Sequence, residues 1–219
     1  MNLRPLPLLL LVAACSTEGE PAIPYDCGDC VEQSCDDYDP LRKPLFGDTH
    51  VHTTLSYDAN VRGTRLGHVD AYRFARGEAI GIQPYDADGE ALRTIQRDRP
   101  LDWVVISDHA EYFGTVASCT DSERPAYDHP QCELYRGDPL ASFASFGLIT
   151  SQPPEEAGYP ELCGEDGDLC LAAGLEVWSE IQADAAAAHD GSSSCEFSAV
   201  LGYEWTPNPI SNNLHRNVV

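Results

Sequence analysis

Two histidines separated by one residue lie in the segment Asp48–His52. On a β-strand, residues i and i+2 project from the same face, so the imidazoles of His50 and His52 would project together. Two neutral imidazoles side by side can begin a metal site, because imidazole is the commonest side-chain metal ligand. Asp48 alternates onto the same face, where its carboxylate could orient a ligand histidine by hydrogen bonding. The spacing therefore predicts that one face of this strand binds a metal ion.

Three further groups of metal-ligating residue types follow in the sequence. Asp58 lies on the loop after the first histidine-bearing strand, and Asp108 and His109 end an apolar run rich in β-branched residues. Glu204 ends another apolar run, and His215 follows it. Each group alone is more often structural or exposed than metal-binding. Their common position near strand ends favours one shared site, since active-site residues of barrel enzymes gather at the C-terminal ends of strands.

The elements that could position these residues alternate along the chain. Apolar runs predict strands at 45–52, 101–106 and 197–204, and helical periodicity predicts helices at 67–77 and 171–189. A turn-rich stretch around 86–89 predicts a hairpin between 79–82 and 91–95. The alternation of strands with helices predicts an α/β fold with a parallel sheet.

The other three histidines lie outside the strand-like runs. His68 falls in the first predicted helix, His129 in a loop-rich stretch and His189 at the end of the last helix. We expect all three to face solvent and to take no part in the chemistry.

The start of the chain is typical of a bacterial export signal. Arg4 precedes a short apolar run, which is too short to span a bilayer. Leu11–Cys15 is similar to a lipobox, in which Cys15 would be acylated, and Ser16 after it would fit sorting to the outer membrane. An ordinary cleaved signal is the alternative. The prediction is an exported protein, lipid-anchored to the cell envelope.

Eight cysteines remain besides Cys15. An even number in an exported chain predicts up to four disulfides, although the sequence leaves their pairing open. Cys27, Cys30 and Cys35 could instead bind zinc, which is the less favoured reading because no second matching pair accompanies them.

These features predict three parts of the chain. Residues 1–14 form a lipoprotein signal peptide, residues 15–40 a cysteine-containing tether and residues 41–219 one catalytic domain. Residues 118–168 carry many Pro, Gly and acidic residues and three cysteines, which predicts a loop-rich, disulfide-bearing insertion around one helix at about 139–149. The chain stops at Asn217–Val219, inside an apparent strand, so we expect the domain to be incomplete at its C-terminus.

The charge balance excludes one class of partner. Asp plus Glu total 36 and Lys plus Arg total 13, a formal net charge of −23. Such a surface repels nucleic-acid phosphates and anionic lipid headgroups. We therefore expect no nucleic-acid partner, and membrane contact through the lipid anchor only.

The motifs resemble those of a known superfamily. Phe46–Thr53 is similar to the first motif of the PHP (polymerase and histidinol phosphatase) superfamily, and Ile106–His109 is similar to the second. Glu204 and His215 resemble the third. Four segments resemble the PHP-related branch catalogued as uncharacterised-domain family 3604: Asp70–Gly77, Arg99–Trp103, Gly202–Thr206 and Asn213–Arg216. The resemblance covers residues 41–219, and members of that branch have been linked to aryl sulfate ester hydrolysis.

The resemblance implies the N-terminal part of a distorted (β/α)7 barrel with two or three divalent ions, which would be Zn, Mn or Fe. It implies that His50 and His52 bind one ion, that Glu204 bridges two and that His215 completes the second. Asp58 and His109 would hold a third ion or share the cluster. The final Asp-x-His motif of the superfamily is absent from the sequence.

These residues predict hydrolysis of a small anionic ester, a phosphate or a sulfate, by a metal-bridged hydroxide. A bound ion lowers the pKa of water from 15.7 to about 7. Glu204 and Arg216 are the predicted catalytic residues, and Arg73 or Arg76 could also clamp the anion. The resemblance favours aryl sulfates. The alternative is a catalytically inactive, disulfide-stapled surface lipoprotein that acts as a binding module.

Overall fold

The computed structural model describes residues 35–36, 38–150, 160–207 and 214–219. The predicted signal peptide and the lipidation residue Cys15 lie outside the described residues, as do Cys27 and Cys30. Cys35–Val219 belong to one structural unit.

A three-stranded parallel sheet carries the first two histidine motifs. Its strands are β1 (Gly47–Val51), β4 (Trp103–Ile106) and β5 (Ser198–Val200), with β4 in the middle. Val104, Val105 and Ile106 of the central strand are buried, as expected for a parallel strand covered on both faces. The prediction of an α/β fold with a parallel sheet is confirmed.

The predicted strand at 197–204 is divided into two strands. The chain leaves the parallel sheet after β5 and forms β6 (Tyr203–Trp205), which pairs antiparallel with β7 (Arg216–Val218). Gly202 lies at the break, where a Cβ atom would come within 2.3 Å of Val105 Cγ1. This close approach explains why the chain turns at a glycine.

Two helices pack against the sheet. α2 (His68–Ala75) follows the short helix α1 (Tyr57–Asn60), and α7 (Asp168–Ala188) precedes β5. A shared core contains residues from both helices and from the sheet: Tyr72, Ala75, Val104, Ile106, Ala185 and Phe197. The predicted hairpin is also present, as β2 (Ile80–Tyr85) and β3 (Ala91–Ile95).

The stretch 118–168 is more helical than the sequence predicted. The predicted helix at about 139–149 is confirmed as α5 (Pro139–Thr150). The expectation that it is the single helix there is wrong, because the stretch also holds the end of α3 (Phe113–Thr120), α4 (Pro130–Gly137) and α6 (Pro160–Cys163). Three of these helices begin at a proline. Proline suits the first helical turn because its missing N–H would have no partner there, so these residues start helices rather than break them. In the part of the chain that the structure describes, no helix has the length and apolar character needed to cross a membrane.

Three disulfides join the described cysteines. Cys35 pairs with Cys195, which ties the segment before β1 to the loop before β5. The other two lie in the helical region, as Cys119–Cys132 and Cys163–Cys170. These bonds are consistent with an exported protein, since disulfides persist in oxidising compartments.

The described strands form one three-stranded and two two-stranded sheets, and they do not close into a barrel. β1 and β5 are the edges of the parallel sheet. The distorted (β/α)7 barrel that the resemblance implies stays a prediction.

Candidate metal centre

The centre is built around the carboxylate of Glu204. The Nε2 atoms of His50 and His52 each lie 2.9 Å from Oε2 of Glu204. Both histidines project from the end of β1, and their rings are 4.8 Å apart. Glu204 comes from β6, where an isolated parallel bridge with His109 brings its backbone to the end of β4. Its side chain is fully buried.

Asp58 contacts the second nitrogen of His52. Its Oδ1 atom lies 2.9 Å from His52 Nδ1 and 4.0 Å from His109 Nε2. The buried hydroxyl of Ser56 donates to the same oxygen at 2.7 Å, and the hydroxyl oxygen accepts the backbone N–H of His109. Asp58 is placed by helix α1, which begins directly after Ser56.

Strands β6 and β7 form a two-stranded antiparallel ribbon that places His215 beside Glu204. Glu204 pairs with Asn217, so His215, two residues earlier, lies on the same face of the ribbon. The Nδ1 atom of His215 contacts Oε1 of Glu204, and the hydroxyl of Thr206 donates to that oxygen at 3.1 Å. Asn217 donates to the backbone carbonyl of Thr49 at 2.8 Å, which ties the ribbon to β1.

All six predicted metal ligands fall into three overlapping sets, within each of which the candidate ligand atoms lie no more than 4.8 Å apart: His50, His52 and Glu204; His52, Asp58 and His109; His109, Glu204 and His215. The three residues that belong to two sets are His52, His109 and Glu204. Mixed imidazole and carboxylate donors suit Zn, Mn and Fe. Each of the three sets could therefore hold a metal ion.

Ion pairing controls the pKa values of His52 and Asp58. Burial lowers the pKa of His52, but the hydrogen bond with Asp58 and its charge outweigh this effect and raise the pKa. Burial raises the pKa of Asp58, but hydrogen bonds from His52 and Ser56 outweigh it and hold the pKa well below its usual range. The carboxylate of Asp58 is thus ionised at neutral pH.

Glu111 is a partner of His109 that the sequence did not single out. Its Oε1 atom lies 2.9 Å from His109 Nδ1, which leaves Nε2 of His109 facing Glu204 at 3.8 Å. Burial lowers the pKa of His109, but the hydrogen bond and charge of Glu111 outweigh this effect and raise it. A carboxylate on the far nitrogen is the usual way in which a protein orients a metal-binding histidine. The spacing His-x-Glu is the feature of the sequence that could have indicated this contact.

A second buried network adjoins the centre, since Thr53 and Asp108 are the chain neighbours of His52 and His109. Asp108 accepts the backbone N–H of Thr53 at 2.5 Å and its hydroxyl at 2.7 Å, and His68 Nε2 lies 3.3 Å from the same carboxylate. The expectation that His68 faces solvent is wrong, because α2 docks on the sheet with His68 inward and only 3% exposed. Burial raises the pKa of Asp108 to about 6 and lowers that of His68 to about 4. At pH 7 an ionised carboxylate therefore faces a neutral imidazole at 3.3 Å.

The two remaining histidines lie away from the centre. His129 caps α4, where its Nδ1 accepts the backbone N–H of Gln131 at 3.2 Å, and it is half-buried. His189 is exposed at the end of α7, as predicted.

Asp48 makes a different contact from the one predicted for it. Its Oδ1 atom accepts the backbone N–H of His50 at 2.9 Å. It therefore stabilises the backbone of β1 at a ligand position rather than bonding to a ligand imidazole.

The predicted arginines lie apart from the cluster. Arg216 pairs with Trp205, so it lies on the opposite face of the ribbon from Glu204. Arg73 is exposed and pairs with Asp70 and Glu78. Arg76 donates to the carbonyl of Ala188 and stacks on Phe197.

Arg62 contacts Asp58, one of the six predicted metal ligands. Its Nη1 atom donates to Oδ2 of Asp58 at 3.1 Å and to the Asp58 carbonyl at 3.0 Å. The spacing of four residues was the signal for this contact. The guanidinium is largely exposed, so it can also contact a solvent-borne anion.

A family model described as "Protein of unknown function (DUF3604)" matches residues 39–219. No curated protein and no solved structure matches the chain.

Proposed function

The chain belongs to the DUF3604 family, and we propose that it is a metal-dependent hydrolase of phosphate or sulfate esters. The observation that carries the proposal is the convergence of four imidazoles and two carboxylates from separate segments of the chain. Such a set of nitrogen and oxygen donors is the usual ligand chemistry of a hydrolytic metal centre.

The environment of Glu204 fits a bound cation. A fully buried carboxylate is costly unless a positive charge or several donors compensate it. Among the described residues, the basic groups within 4.0 Å of this carboxylate are all histidines. Metal-binding imidazoles are neutral, so in the metal-loaded state a divalent ion shared with them would supply the compensating charge. His50, His52, Asp58, His109, Glu204 and His215 would hold two or three such ions.

When bound, divalent ions supply a nucleophile at neutral pH by lowering the pKa of water, and they neutralise charge on the ester oxygens. The protein provides the access and the orientation. The side chains of His50 and His215 are 56% and 52% exposed, whereas those of His52 and His109 are 14% and 9% exposed. An ester would therefore approach over His50 and His215.

Arg62 is the best-placed arginine to recognise the anion. It lies beside Asp58 on the periphery of the cluster, and a guanidinium binds tetrahedral oxyanions through paired N–H donors. This role replaces the one predicted for Arg73 and Arg76, whose partners lie elsewhere. The catalytic role predicted for Arg216 stays a prediction.

The superfamily, the ester class and the cellular location belong to the same proposal. The resemblance of the motifs supports membership of the PHP superfamily, with its barrel, and aryl sulfates as the ester class. The lipobox-like segment Leu11–Cys15 supports anchoring to the outer membrane by a lipid on Cys15. The three disulfides agree with this location.

The alternative, an inactive binding lipoprotein, requires no convergence of the ligand-type side chains. Separations beyond about 8 Å would favour it, since metal–ligand bonds are near 2.0–2.2 Å. The observed separations of 4.8 Å or less support the metal centre.

The test is hydrolysis of nitrophenyl phosphate and nitrophenyl sulfate by the purified chain, before and after chelation. We expect activity to disappear with chelation and to return with Zn²⁺ or Mn²⁺. The exposed-histidine variant His189→Ala serves as a control and should behave like the wild type. Activity that survives complete removal of metal, or a metal-loaded protein that hydrolyses neither ester, would overturn the proposal.

A further inference from the structure

We propose that His68 is a positioning residue for the metal centre: through Asp108 and Thr53 it fixes the strand ends that carry His52 and His109. This inference rests on the proposed metal centre, but it concerns how tightly that centre binds metal rather than which ester it hydrolyses.

Asp108 connects three segments that carry ligand-type residues. Its carboxylate accepts both the N–H and the hydroxyl of Thr53, which directly follows His52. Its own neighbour in the chain is His109. Its backbone carbonyl accepts the N–H of Glu204 at 3.0 Å. Any movement of Asp108 would therefore change the distances among His52, His109 and Glu204 together.

His68 contacts the carboxylate of Asp108 directly. Its Nε2 atom lies 3.3 Å from Oδ2 of Asp108, and both side chains are almost fully buried. His68 is the first residue of α2, a helix that packs on the sheet. The contact thus fixes the carboxylate of Asp108, which lies next to the predicted ligand His109 in the chain, to a packed helix.

Stability alone does not account for a histidine at this position. The Nδ1 atom of His68 is buried and has no hydrogen-bond partner among the described residues. An unsatisfied buried polar atom costs about 1–3 kcal/mol, so an apolar residue of similar size would suit the core better. The polar contact with Asp108 is the feature that such a residue could not supply.

The positioning role predicts a loss of metal affinity when the contact is removed. Partners that orient metal ligands typically contribute about 10–100-fold to metal affinity. We therefore expect His68→Leu to weaken Zn²⁺ binding about 10–100-fold. His68→Gln, whose amide nitrogen can reach the place of Nε2, should restore most of the affinity.

The experiment measures Zn²⁺ affinity of the full chain by competition with a chromophoric chelator. His129→Leu is the control, because it removes a half-buried histidine that belongs to none of the three ligand sets. It should leave the affinity unchanged. Thermal unfolding in excess chelator, recorded for every variant, separates a change in metal affinity from a change in metal-free stability.

A second variant keeps the test decisive if His68→Leu does not fold. Thr53→Val preserves the shape of the side chain but removes its hydroxyl bond to Asp108, and it should also weaken Zn²⁺ binding. Folded His68→Leu or Thr53→Val with wild-type affinity would overturn the inference. A wild-type chain that binds no Zn²⁺ would overturn it together with the proposed function. A chain that binds Zn²⁺ but hydrolyses neither ester would overturn the proposed function alone.

Discussion

The metal centre and the helical region from α3 to α7 are stabilised by different forces. The centre consists of buried polar groups at strand ends, and the carboxylate of Glu204 has only histidines as basic partners among the described residues. The helical region has an apolar core that includes Val116, Tyr135 and Leu162, and two disulfides cross it. The helical region is therefore stabilised by apolar packing and disulfides, whereas the proposed function assigns the balancing of the charge at the centre to a bound cation.

This contrast predicts that the two regions respond to different perturbations. Loss of a metal ligand should abolish metal binding and leave the helical core folded. Loss of a disulfide should destabilise the fold and leave the geometry of the centre intact. Four predictions test the contrast, and they are ordered by the size of the expected effect.

The largest effect is expected from Glu204→Gln, which keeps the size of the side chain and removes its charge. Glu204 belongs to two of the three ligand sets, so the affinity for Zn²⁺ should fall by more than about 100-fold, beyond the range typical of orienting partners. Competition with a chelator measures the loss, and far-ultraviolet circular dichroism should show an unchanged helix content. Wild-type affinity in this variant would remove Glu204 from the centre.

The second effect is a loss of stability in Cys119→Ser/Cys132→Ser. The disulfide closes a loop over a sequence separation of 13, for which chain entropy predicts a loss of about 3 kcal/mol in the free energy of unfolding. Urea unfolding of the metal-loaded protein measures this loss. The Zn²⁺ content of the folded variant should equal that of the wild type, and a lower content would show that the two regions are coupled.

Glu111→Gln should have a smaller effect on the centre. Its carboxylate orients His109 without belonging to a ligand set, so the expected loss of Zn²⁺ affinity is about 10-fold, at the lower end for such partners. Glu123→Gln is a suitable control, because Glu123 is exposed. Equal affinities for the two variants would show that Glu111 does not orient the ligand.

The smallest effect is the pH dependence of the free energy of unfolding, which should have opposite signs in the metal-free and metal-loaded proteins. The pKa values of His52 and His109 are raised above 6.5, because neighbouring carboxylates outweigh their burial. A raised histidine pKa contributes stability that is fully present below pH 6.5 and is lost as the pH rises through the folded-state value. Metal binding instead strengthens as the pH rises, since ligand imidazoles must be neutral.

Urea unfolding between pH 6.5 and about pH 8 measures both slopes, once in chelator and once in Zn²⁺. The chelated protein should become less stable across this interval, and the Zn²⁺-loaded protein more stable. Slopes of the same sign would show that the added metal does not compete with protons for these histidines.

Local pattern was sufficient to predict part of the centre. The alternation of side chains on β1 predicted the common face of His50 and His52, and an apolar run predicted the strand that ends before Asp108. Both follow from the geometry of a strand, which depends on neighbouring residues only. The parallel pairing of β1, β4 and β5 then brings these ends to one edge of the sheet.

The features that the sequence did not predict depend on tertiary packing. The break at Gly202 reflects close contacts with Val105 and Val218, which are distant in sequence. The burial of His68 depends on how α2 docks, because nothing in the helix itself shows which end faces the sheet. The prolines at 130, 139 and 160 make the composition of this stretch look loop-like, although each of them begins a helix.

Metal content tests the central claim most directly. Elemental analysis of the purified chain should find about two or three equivalents of Zn, Mn or Fe, as expected for a hydrolytic cluster. His50→Ala/His52→Ala should lose most of this metal, whereas His189→Ala should retain all of it. A folded wild-type chain that contains no metal and takes up none on addition of Zn²⁺ or Mn²⁺ would contradict the account.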